Sequence, residues 1–295
     1  MPDIRPRRSV LYMPGANARA LDKARTLPAD AIIIDLEDAV APETKEAARA
    51  QVVAAVRQGG YGHREVVVRV NAPDTAWGEG DLAAAAEAAP DAILIPKVSD
   101  AETLTSVGHR LRRLNAPEKT RVWAMIETPL AILRCEEIAR AARDVDTRLA
   151  CFVMGTNDLV KETRADLSAN RRPALYWLSA TVTAARAYGL EVLDGVYNNF
   201  KDADGFKREC VHGRALGFDG KTLIHPDQVA VANEVFAPPE AEVAFARKII
   251  AAFALPESKG KGVITVEGRM VELLHAEIAQ RTVAIAEAIE RMKAP

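Results

Sequence analysis

The stretch Ala31-Ile32-Ile33-Ile34-Asp35-Leu36-Glu37-Asp38 joins a short apolar run to a group of acidic residues. A run rich in β-branched residues is typical of a strand in a parallel sheet that is buried on both faces. The carboxyl end of such a strand is where α/β enzymes place their reactive side chains. The stretch therefore predicts a buried strand that ends in an active site.

Seven further apolar runs share this character, and they alternate with Ala-rich stretches of helical period. The eight predicted strands are Ser9–Met13, Ala31–Leu36, Glu65–Val70, Ala92–Pro96, Arg121–Ile126, Cys151–Met154, Leu190–Leu193 and Gly220–Leu223. The predicted crossover helices include Asn17–Thr26, Glu43–Gln58, Leu130–Arg143 and Pro173–Tyr188. Eight βα units in one domain predict a (β/α)8 TIM barrel, with an open doubly wound sheet as the alternative.

The residues after the eighth strand fall outside this repeat. They contain a predicted helix at Pro239–Ala254, a Gly- and Lys-rich linker at 256–262 and an amphipathic helix at Leu273–Met292. We therefore predict a catalytic barrel domain over residues 1–237 and a C-terminal helical extension, acting as a lid, over residues 238–295.

Composition narrows the class of protein. The 295 residues carry a net charge of −2, so no basic field favours nucleic acid or an anionic membrane as a partner. No apolar stretch behind Met1–Arg8 has the length of a signal segment, and we expect a cytoplasmic protein. The cysteines Cys135, Cys151 and Cys210 match no disulfide or zinc spacing, which predicts reduced thiols in the core.

Acidic residues follow several of the predicted strands. Glu127 directly follows the fifth strand, and Asp158 follows the sixth in Gly155-Thr156-Asn157-Asp158. Carboxylates that converge on the mouth of a barrel are typical of a hard-cation site, and one or two of them suffice for Mg²⁺. We predict Mg²⁺, with Mn²⁺ as the alternative ion, on Glu127 and Asp158. Taken one at a time, these carboxylates also have structural explanations. Glu127 could stabilise a helix N-terminus, and Asp158 could be the N-cap of a helix.

Arg69 lies at the carboxyl end of the third predicted strand, in Arg69-Val70-Asn71, and is the one arginine in this set of strand ends. It could stabilise a negatively charged substrate oxygen. It could equally be a buried ion-pair partner of Asp35, Glu37 and Asp38, which follow the second strand. His225 follows the eighth strand, where a ligand could reach it.

Two nucleotide-binding motifs are excluded. Gly220-Lys221-Thr222 resembles the end of a P-loop, but Ala215 stands where the first glycine is required and a strand follows instead of a helix. No Gly-x-Gly-x-x-Gly fingerprint follows a strand, so a nicotinamide dehydrogenase has no support.

Motifs along nearly the whole chain are similar to those of the CoA-ester lyases related to the citrate lyase β subunit and malyl-CoA lyase. The matching stretches are Arg8-Ser9-Val10-Leu11-Tyr12-Met13-Pro14-Gly15, Asp35-Leu36-Glu37-Asp38-Ala39-Val40-Ala41-Pro42, Val68-Arg69-Val70-Asn71, Ile95-Pro96-Lys97, Ile126-Glu127-Thr128-Pro129, Gly155-Thr156-Asn157-Asp158, Leu216-Gly217-Phe218-Asp219-Gly220-Lys221 and Ile224-His225-Pro226. The match is specific for the family and weak for the substrate.

The resemblance implies roles for individual residues. It implies that Glu127 and Asp158 hold Mg²⁺ and that Arg69 contacts an oxygen of the 2-oxo acid. It also implies that a group of acidic residues surrounds and supports these side chains. The residues implied to bind substrate are Tyr12, Lys23, Arg69, Asn157, Ile224 and His225, and those behind the site are Asp35, Glu37 and Asp38. The resemblance also implies a homo-oligomer, a homotrimer or a dimer of trimers.

Two positions depart from the family pattern. Asn17 stands where malyl-CoA lyases carry an arginine, which bears on nucleotide binding. Glu272 stands where these lyases usually have an aspartate on a C-terminal lid that reaches a neighbouring subunit. Glu272 is the candidate acid–base residue, in cis or in trans, although it could also be a solvated residue at the start of the last helix.

The predicted activity is that of a Mg²⁺-dependent carbon–carbon lyase. The substrate is a 3-hydroxyacyl-CoA of the malyl-, methylmalyl-, citramalyl- or citryl-CoA type, cleaved to acetyl-CoA or propionyl-CoA and a 2-oxo acid. The alternatives are a malyl-CoA thioesterase, an aldolase acting on free pyruvate or oxaloacetate, and a citrate lyase β subunit that depends on an acyl-carrier partner. A covalent mechanism would use Lys97, which follows the fourth strand.

Overall fold

The computed structural model describes residues 4–293. Eight strands form its central sheet, and each is short and almost wholly buried. They are β1 (Ser9–Pro14), β2 (Ala31–Asp35), β3 (Glu65–Arg69), β4 (Ala92–Ile95), β5 (Arg121–Ile126), β6 (Leu149–Met154), β7 (Glu191–Asp194) and β8 (Gly220–Leu223). All eight predicted strands are present, with ends shifted by two residues at most. Met1–Asp3, on which part of the signal-segment prediction falls, and Ala294–Pro295 lie outside the described residues.

The sheet closes on itself. Each strand pairs in parallel with the next, and β1 pairs with both neighbours, Val10 lying opposite Ala31 of β2 and Thr222 of β8. The predicted (β/α)8 barrel is confirmed, and the open doubly wound alternative is wrong because an open sheet would leave β1 or β8 at an edge.

Helices lie between successive barrel strands, and the last one, α10, follows β8. They are α1 (Ala18–Ala24), α2 (Lys45–Gln58), α3 (Gly78–Ala88), α4 (Ala101–Arg113), α5 (Pro129–Leu133), α6 (Cys135–Arg140), α7 (Thr156–Thr163), α8 (Leu175–Ala187), α9 (Ala203–Leu216) and α10 (Gln228–Phe236). The single helix predicted over Leu130–Arg143 is divided into α5 and α6, because the backbone at Arg134 is not helical (φ −108°, ψ 19°). Thr128 caps α5 by accepting a hydrogen bond from the N–H of Ala131.

Alternation along the strands positions the site. The barrel interior is filled by residues such as Ile33, Val67 and Met125, all buried. Successive side chains of a strand point to opposite faces, so the residues two positions further on also point toward the barrel axis. These are Asp35, Arg69 and Glu127, respectively. The mouth of the barrel is therefore polar, whereas its centre is apolar. The three cysteines are free and buried, as predicted.

A second compact unit begins at Glu234. It contains α11 (Glu240–Ala254), an antiparallel hairpin of β9 (Val263–Val266) and β10 (Arg269–Glu272), and α12 (Leu273–Lys293). The hairpin turn at Glu267-Gly268 has positive φ at both residues, as a two-residue turn between twisted strands requires. The core of this unit includes Ile249, Val266 and Val271.

No helix within residues 4–293 combines the length and the hydropathy needed to cross a bilayer.

Candidate active site

A cavity of about 310 Å³ lies at the carboxyl ends of the barrel strands. Polar side chains from β2, β3 and the residues after β5 and β6 line it together with a few apolar ones. The lining residues are Tyr12, Asp35, Asp38, Ala39, Arg69, Met125, Glu127, Met154, Gly155, Thr156, Asn157, Asp158, Val196, Thr222 and Ile224. The convergence predicted from the strand ends is therefore present. Lys23 is exposed on α1 and is not among the described residues that line this cavity.

The guanidinium of Arg69 is bound to a carboxylate of the protein itself. Its Nε and Nη2 donate to the two oxygens of Asp35 at 2.7 and 2.6 Å. Its Nη1 lies 2.7 Å from Oε2 of Glu37 and 3.2 Å from Oδ2 of Asp38. The ion-pair alternative for Arg69 is thus realised, and only the Nη1 end is directed away from Asp35. Because Arg69 also lines the cavity, it remains placed to meet a substrate anion.

The carboxylates of Asp35, Glu37 and Asp38 all lie against the guanidinium of Arg69. One positive charge is therefore shared among three acidic groups. Burial raises the pKa of Glu37 to about 8, and the nearby Arg69 only partly opposes this effect. Glu37 Oε2 also lacks a hydrogen bond of good geometry within the described part of the chain. Asp35 is better satisfied, since it accepts the backbone N–H groups of Glu37 and Ala39 at 2.9 and 3.0 Å. Glu37 therefore holds a proton more readily than a solvent-exposed glutamate does.

A buried lysine fixes the loop that carries these acids. The Nζ of Lys45 donates to the carbonyl oxygens of Leu36 and Glu37 at 3.0 and 2.9 Å and to Oδ1 of Asn71 at 2.8 Å. Asn71 is in turn held by Asp81, which accepts from its amide at 2.6 Å and from its backbone N–H at 3.0 Å. The role of Lys45 could not be predicted from the sequence, because a lysine in a helix of ordinary composition gives no signal of burial.

Glu127 is the most deeply buried acid of the mouth, with 1% of its surface exposed. Its Oε1 accepts the backbone N–H of Lys97 at 2.7 Å. Burial raises its pKa to about 7, against the opposing charge of Lys97. Gly155 lies so close that a Cβ there would be 2.3 Å from the Cβ of Glu127 and 2.6 Å from its Oε2. Glycine at 155 is thus what leaves room for this carboxylate.

Asp158 approaches the same point from the first turn of α7. The Nζ of Lys97 lies 2.9 Å from Oδ2 of Asp158 and 3.7 Å from Oε1 of Glu127. Burial lowers the pKa of Lys97, but the hydrogen bond and charge of Asp158, together with Glu127, raise it above its ordinary value. An ammonium group held this way is not the neutral amine that a covalent mechanism needs, so the geometry disfavours a Schiff base at Lys97.

The two predicted metal ligands fit a divalent cation. Among the described residues, the buried Oε2 of Glu127 has no hydrogen-bond partner, and a lysine ammonium already lies between its carboxylate and that of Asp158. No cluster of three or more metal-ligating side chains occurs within residues 4–293. A two-carboxylate site suits Mg²⁺, which retains several water or substrate oxygens, and does not suit a metal that needs a full set of protein ligands.

Tyr12 and Ile224 also line the cavity. The Tyr12 ring stacks under the guanidinium of Arg69 at 5.0 Å, and its hydroxyl lies 3.9 Å from the sulfur of Met125. Burial raises the pKa of Tyr12. Its ring therefore supports Arg69 from inside the barrel, in addition to any contact with substrate.

Asn157 lines the cavity, whereas His225 follows the lining residue Ile224 and is not itself among the lining residues. The side-chain amide of Asn157 exchanges two hydrogen bonds with that of Asn198, at 2.8 and 3.2 Å. The His225 ring stacks on Phe200 with centroids 4.5 Å apart and planes 12° from parallel. Phe200 is 41% exposed. The stacked pair offers a flat surface that could not be predicted from the sequence, because Phe200 belongs to no motif.

Lys221, set aside as a P-loop residue, has a structural contact set. Its Nζ is wholly buried and lies 2.7 Å from Oε1 of Glu209 and 3.2 Å from Oδ2 of Asp194. Arg171 donates two hydrogen bonds, of 2.6 and 2.8 Å, to the carboxylate of the same Asp194. This charged cluster supports β7 and β8, and the exclusion of a P-loop is consistent with it.

Glu272, the predicted acid–base residue, is the last residue of β10 in the second compact unit. Its side chain is half-buried, and its backbone N–H donates to Nδ1 of His275 at 2.9 Å. Its catalytic role stays a prediction from the sequence.

The chain is similar to proteins of known type over most of its length. The model of the HpcH/HpaI aldolase/citrate lyase family matches residues 8–226. A (3S)-malyl-CoA thioesterase of Cereibacter sphaeroides is 50% identical over 289 residues, which cover 98% of each chain. The citrate lyase subunit beta of Escherichia coli is 36% identical over 273 residues, which cover 91% of this chain and 89% of that one.

A solved structure extends the similarity to the fold. The protein CitE from Mycobacterium tuberculosis, in complex with magnesium, acetoacetate and coenzyme A, superimposes with a TM-score of 0.72 at 30% identity. The superposition covers 94% of this chain and 97% of that one. The citrate lyase beta subunit of the same organism, complexed with oxaloacetate and magnesium, gives a TM-score of 0.66 at 30% identity over 79% and 98% of the two chains.

Proposed function

The chain belongs to the HpcH/HpaI aldolase/citrate lyase family, and we propose that it hydrolyses the thioester of a short 3-hydroxyacyl-CoA, of the malyl-CoA type, with the help of Mg²⁺. The observation that carries this proposal is the pair of carboxylates at the barrel mouth, Glu127 and Asp158, beside the buried Arg69. The 50% identity to a malyl-CoA thioesterase over nearly the whole of both chains supports hydrolysis over carbon–carbon cleavage. The motifs of the sequence alone had favoured carbon–carbon cleavage, with hydrolysis as the alternative.

Glu127 and Asp158 would hold the metal ion. When bound, Mg²⁺ supplies Lewis-acid stabilisation for negative charge on a substrate oxygen. Glu127 is kept in place by the backbone N–H of Lys97 and by its tight fit against Gly155. A ligand fixed this firmly needs little reorganisation when the ion arrives, which favours catalysis.

Arg69 would complete the binding of the acyl group. Its fork is held by Asp35 at 2.6 and 2.7 Å, so Nη1 keeps one orientation in the cavity. An arginine fixed in this way can orient the free carboxylate or hydroxyl oxygen of a 3-hydroxyacyl group. In the hydrolysis, a water oxygen adds to the thioester carbonyl, the carbon–sulfur bond breaks, and the water proton ends on the CoA sulfur.

The carbon–carbon lyase remains the second candidate. The 36% identity to a citrate lyase subunit beta favours it. In that reaction the bond between C2 and C3 of the acyl chain breaks, the 3-hydroxyl proton is lost, and the acetyl-CoA enolate takes up a proton from an acid. Glu272 is the residue that the sequence nominates for this acid, and its extra methylene relative to aspartate is a reason to favour hydrolysis.

Product analysis separates the two reactions. Purified protein with Mg²⁺ is incubated with malyl-, methylmalyl-, citramalyl- and citryl-CoA, and free thiol and 2-oxo acid are measured in parallel. Hydrolysis releases one free thiol per turnover and no 2-oxo acid, whereas cleavage releases a 2-oxo acid and no free thiol. We expect free thiol alone, and stoichiometric 2-oxo acid without thiol would assign the lyase. Glu127→Gln is the control, since it keeps the shape of the side chain and removes its charge.

The role of Glu272 and the oligomeric state are tested by mixing variants. If Glu272 acts on the site of a neighbouring subunit, a mixture of Glu272→Gln and Glu127→Ala proteins regains activity after subunit exchange, because some sites combine an intact metal site with an intact acid. An unimpaired Glu272→Gln single variant would remove Glu272 from the mechanism. The same assay without any carrier protein tests whether an acyl-carrier partner is needed.

A further inference from the structure

Lys97 occupies an unusual position at the end of β4. Its backbone is left-handed, with φ at +55°, a conformation that residues other than glycine adopt at some cost. In this conformation its N–H meets Oε1 of Glu127 at 2.7 Å. Its side chain turns back to the same carboxylate, and one residue thus contacts Glu127 through both its backbone and its ammonium.

The ammonium of Lys97 lies where a metal ion is expected. Nζ is 2.9 Å from Asp158 and 3.7 Å from Glu127, so it lies between the two carboxylates that would hold the ion. A divalent cation and an ammonium cannot share this space, because like charges at such separations repel strongly in a partly buried site. Binding of the ion therefore requires the ammonium to leave.

The side chain of Lys97 is free to do so. It is 35% exposed, in contrast to Glu127 at 1%. The backbone contact with Glu127 does not depend on the position of Nζ. A lysine side chain has four rotatable bonds, so its ammonium can move outward while the carboxylate keeps its backbone hydrogen bond.

We propose that Lys97 is a built-in, exchangeable counter-ion of the metal site. It neutralises Glu127 and Asp158 when the metal is absent and is displaced when a divalent cation binds. Lys97 thereby lowers the affinity for the metal and stabilises the metal-free protein. This inference rests on the metal site of the proposed function, and it assigns to Lys97 a role in metal binding instead of covalent catalysis.

The test is a titration with Mn²⁺, followed by the EPR signal of the free ion, on metal-free protein. Lys97→Met removes the ammonium and keeps an unbranched side chain. We expect its dissociation constant for Mn²⁺ to fall about tenfold, the effect of removing one competing unit charge from a partly buried pair. Lys161→Met, which removes an exposed lysine from the same helix as Asp158, is the matched control and should bind Mn²⁺ like the wild type.

Thermal unfolding provides a second, independent measurement. Without metal, Lys97→Met leaves the carboxylates of Glu127 and Asp158 without their cation, so its melting temperature should lie below that of the wild type. Saturating Mn²⁺ should raise the melting temperature more in this variant than in the wild type. Lys97→Gln is used alongside it and should give the same two changes, which guards against a packing defect specific to methionine.

The outcomes separate the two hypotheses. If wild type binds Mn²⁺, Glu127→Gln does not, and both Lys97 variants bind it no more tightly than wild type, the counter-ion role is overturned while the metal site stands. If wild type and both Lys97 variants fail to bind Mn²⁺ at all, the metal site and the counter-ion role fall together. Tighter binding in both folded Lys97 variants, with Lys161→Met unchanged, establishes the proposal.

Discussion

Replacing Gly155 by alanine tests whether the position of Glu127 controls the site. The added Cβ would lie 2.3 Å from the Cβ of Glu127 and 2.6 Å from its Oε2. The first distance is about 1 Å short of ordinary van der Waals contact at 3.4 Å. Because the nearest atom belongs to the buried Glu127, relief of this contact has to shift either Glu127 or the backbone at 155. Since residue 155 directly precedes α7, which carries Asp158, either shift changes the distance between the two carboxylates.

A displacement of this size exceeds what a Mg²⁺ site tolerates. Metal–ligand distances vary by about 0.2 Å, and misplacement of a catalytic group by about 1 Å costs on the order of 100-fold in rate. We therefore expect Gly155→Ala to weaken Mn²⁺ binding and to lower kcat/KM about 100-fold. Overpacking at the buried Glu127 side should also lower the free energy of unfolding by about 1–3 kcal/mol.

The assays are the Mn²⁺ titration, thioester hydrolysis and urea unfolding of the same preparations. Gly262→Ala is the matched control, because a Cβ at 262 meets nothing within 4 Å and should leave all three quantities unchanged. Gly155→Ala protein with the metal affinity and kcat/KM of the wild type would refute the reasoning, since it would show that the distance between the two carboxylates can change without consequence.

Three further predictions concern the carboxylates and their arginine. EDTA should abolish activity, and excess Mg²⁺ should restore it. Glu127→Gln and Asp158→Asn should stay inactive at any Mg²⁺ concentration, because an ion held by only two protein carboxylates cannot lose one of them. Activity in a chelated sample would contradict the metal mechanism. Arg69→Lys should lower kcat/KM at saturating Mg²⁺ by at least about 100-fold and the free energy of unfolding by about 2 kcal/mol, because a lysine cannot replace the two hydrogen bonds to Asp35. A loss of kcat/KM under about threefold would make Arg69 a structural residue only. Glu37, whose pKa burial raises to about 8, binds its proton more tightly in the folded protein, so stability should fall as pH rises from about 4.5 through 8. Glu37→Gln should therefore raise the melting temperature by at least about 3 °C at pH 8.5 and have little effect near pH 4.5, whereas Glu43→Gln, at an exposed position, should change neither; equal shifts at both pH values would argue against this titration.

The amino-acid sequence by itself determined the barrel and the position of its site. Runs of β-branched residues specify buried parallel strands through local preference and burial, and their number and spacing specify closure. Side chains alternate between the two faces of a strand, so Asp35, Arg69 and Glu127 follow apolar barrel residues in register. The convergence of these three residues at the barrel mouth could therefore be predicted before any contact was known.

The contacts within the site were decided only by the tertiary structure. The bidentate pairing of Arg69 with Asp35 was one of two open interpretations, because chemistry alone does not tell a substrate anion from a protein carboxylate. The burial of Lys45 and the insertion of Lys97 between Glu127 and Asp158 gave no signal in the sequence. Long lysine side chains reach partners far away in the chain, so their contacts depend on how closure of the barrel brings separate strand ends together.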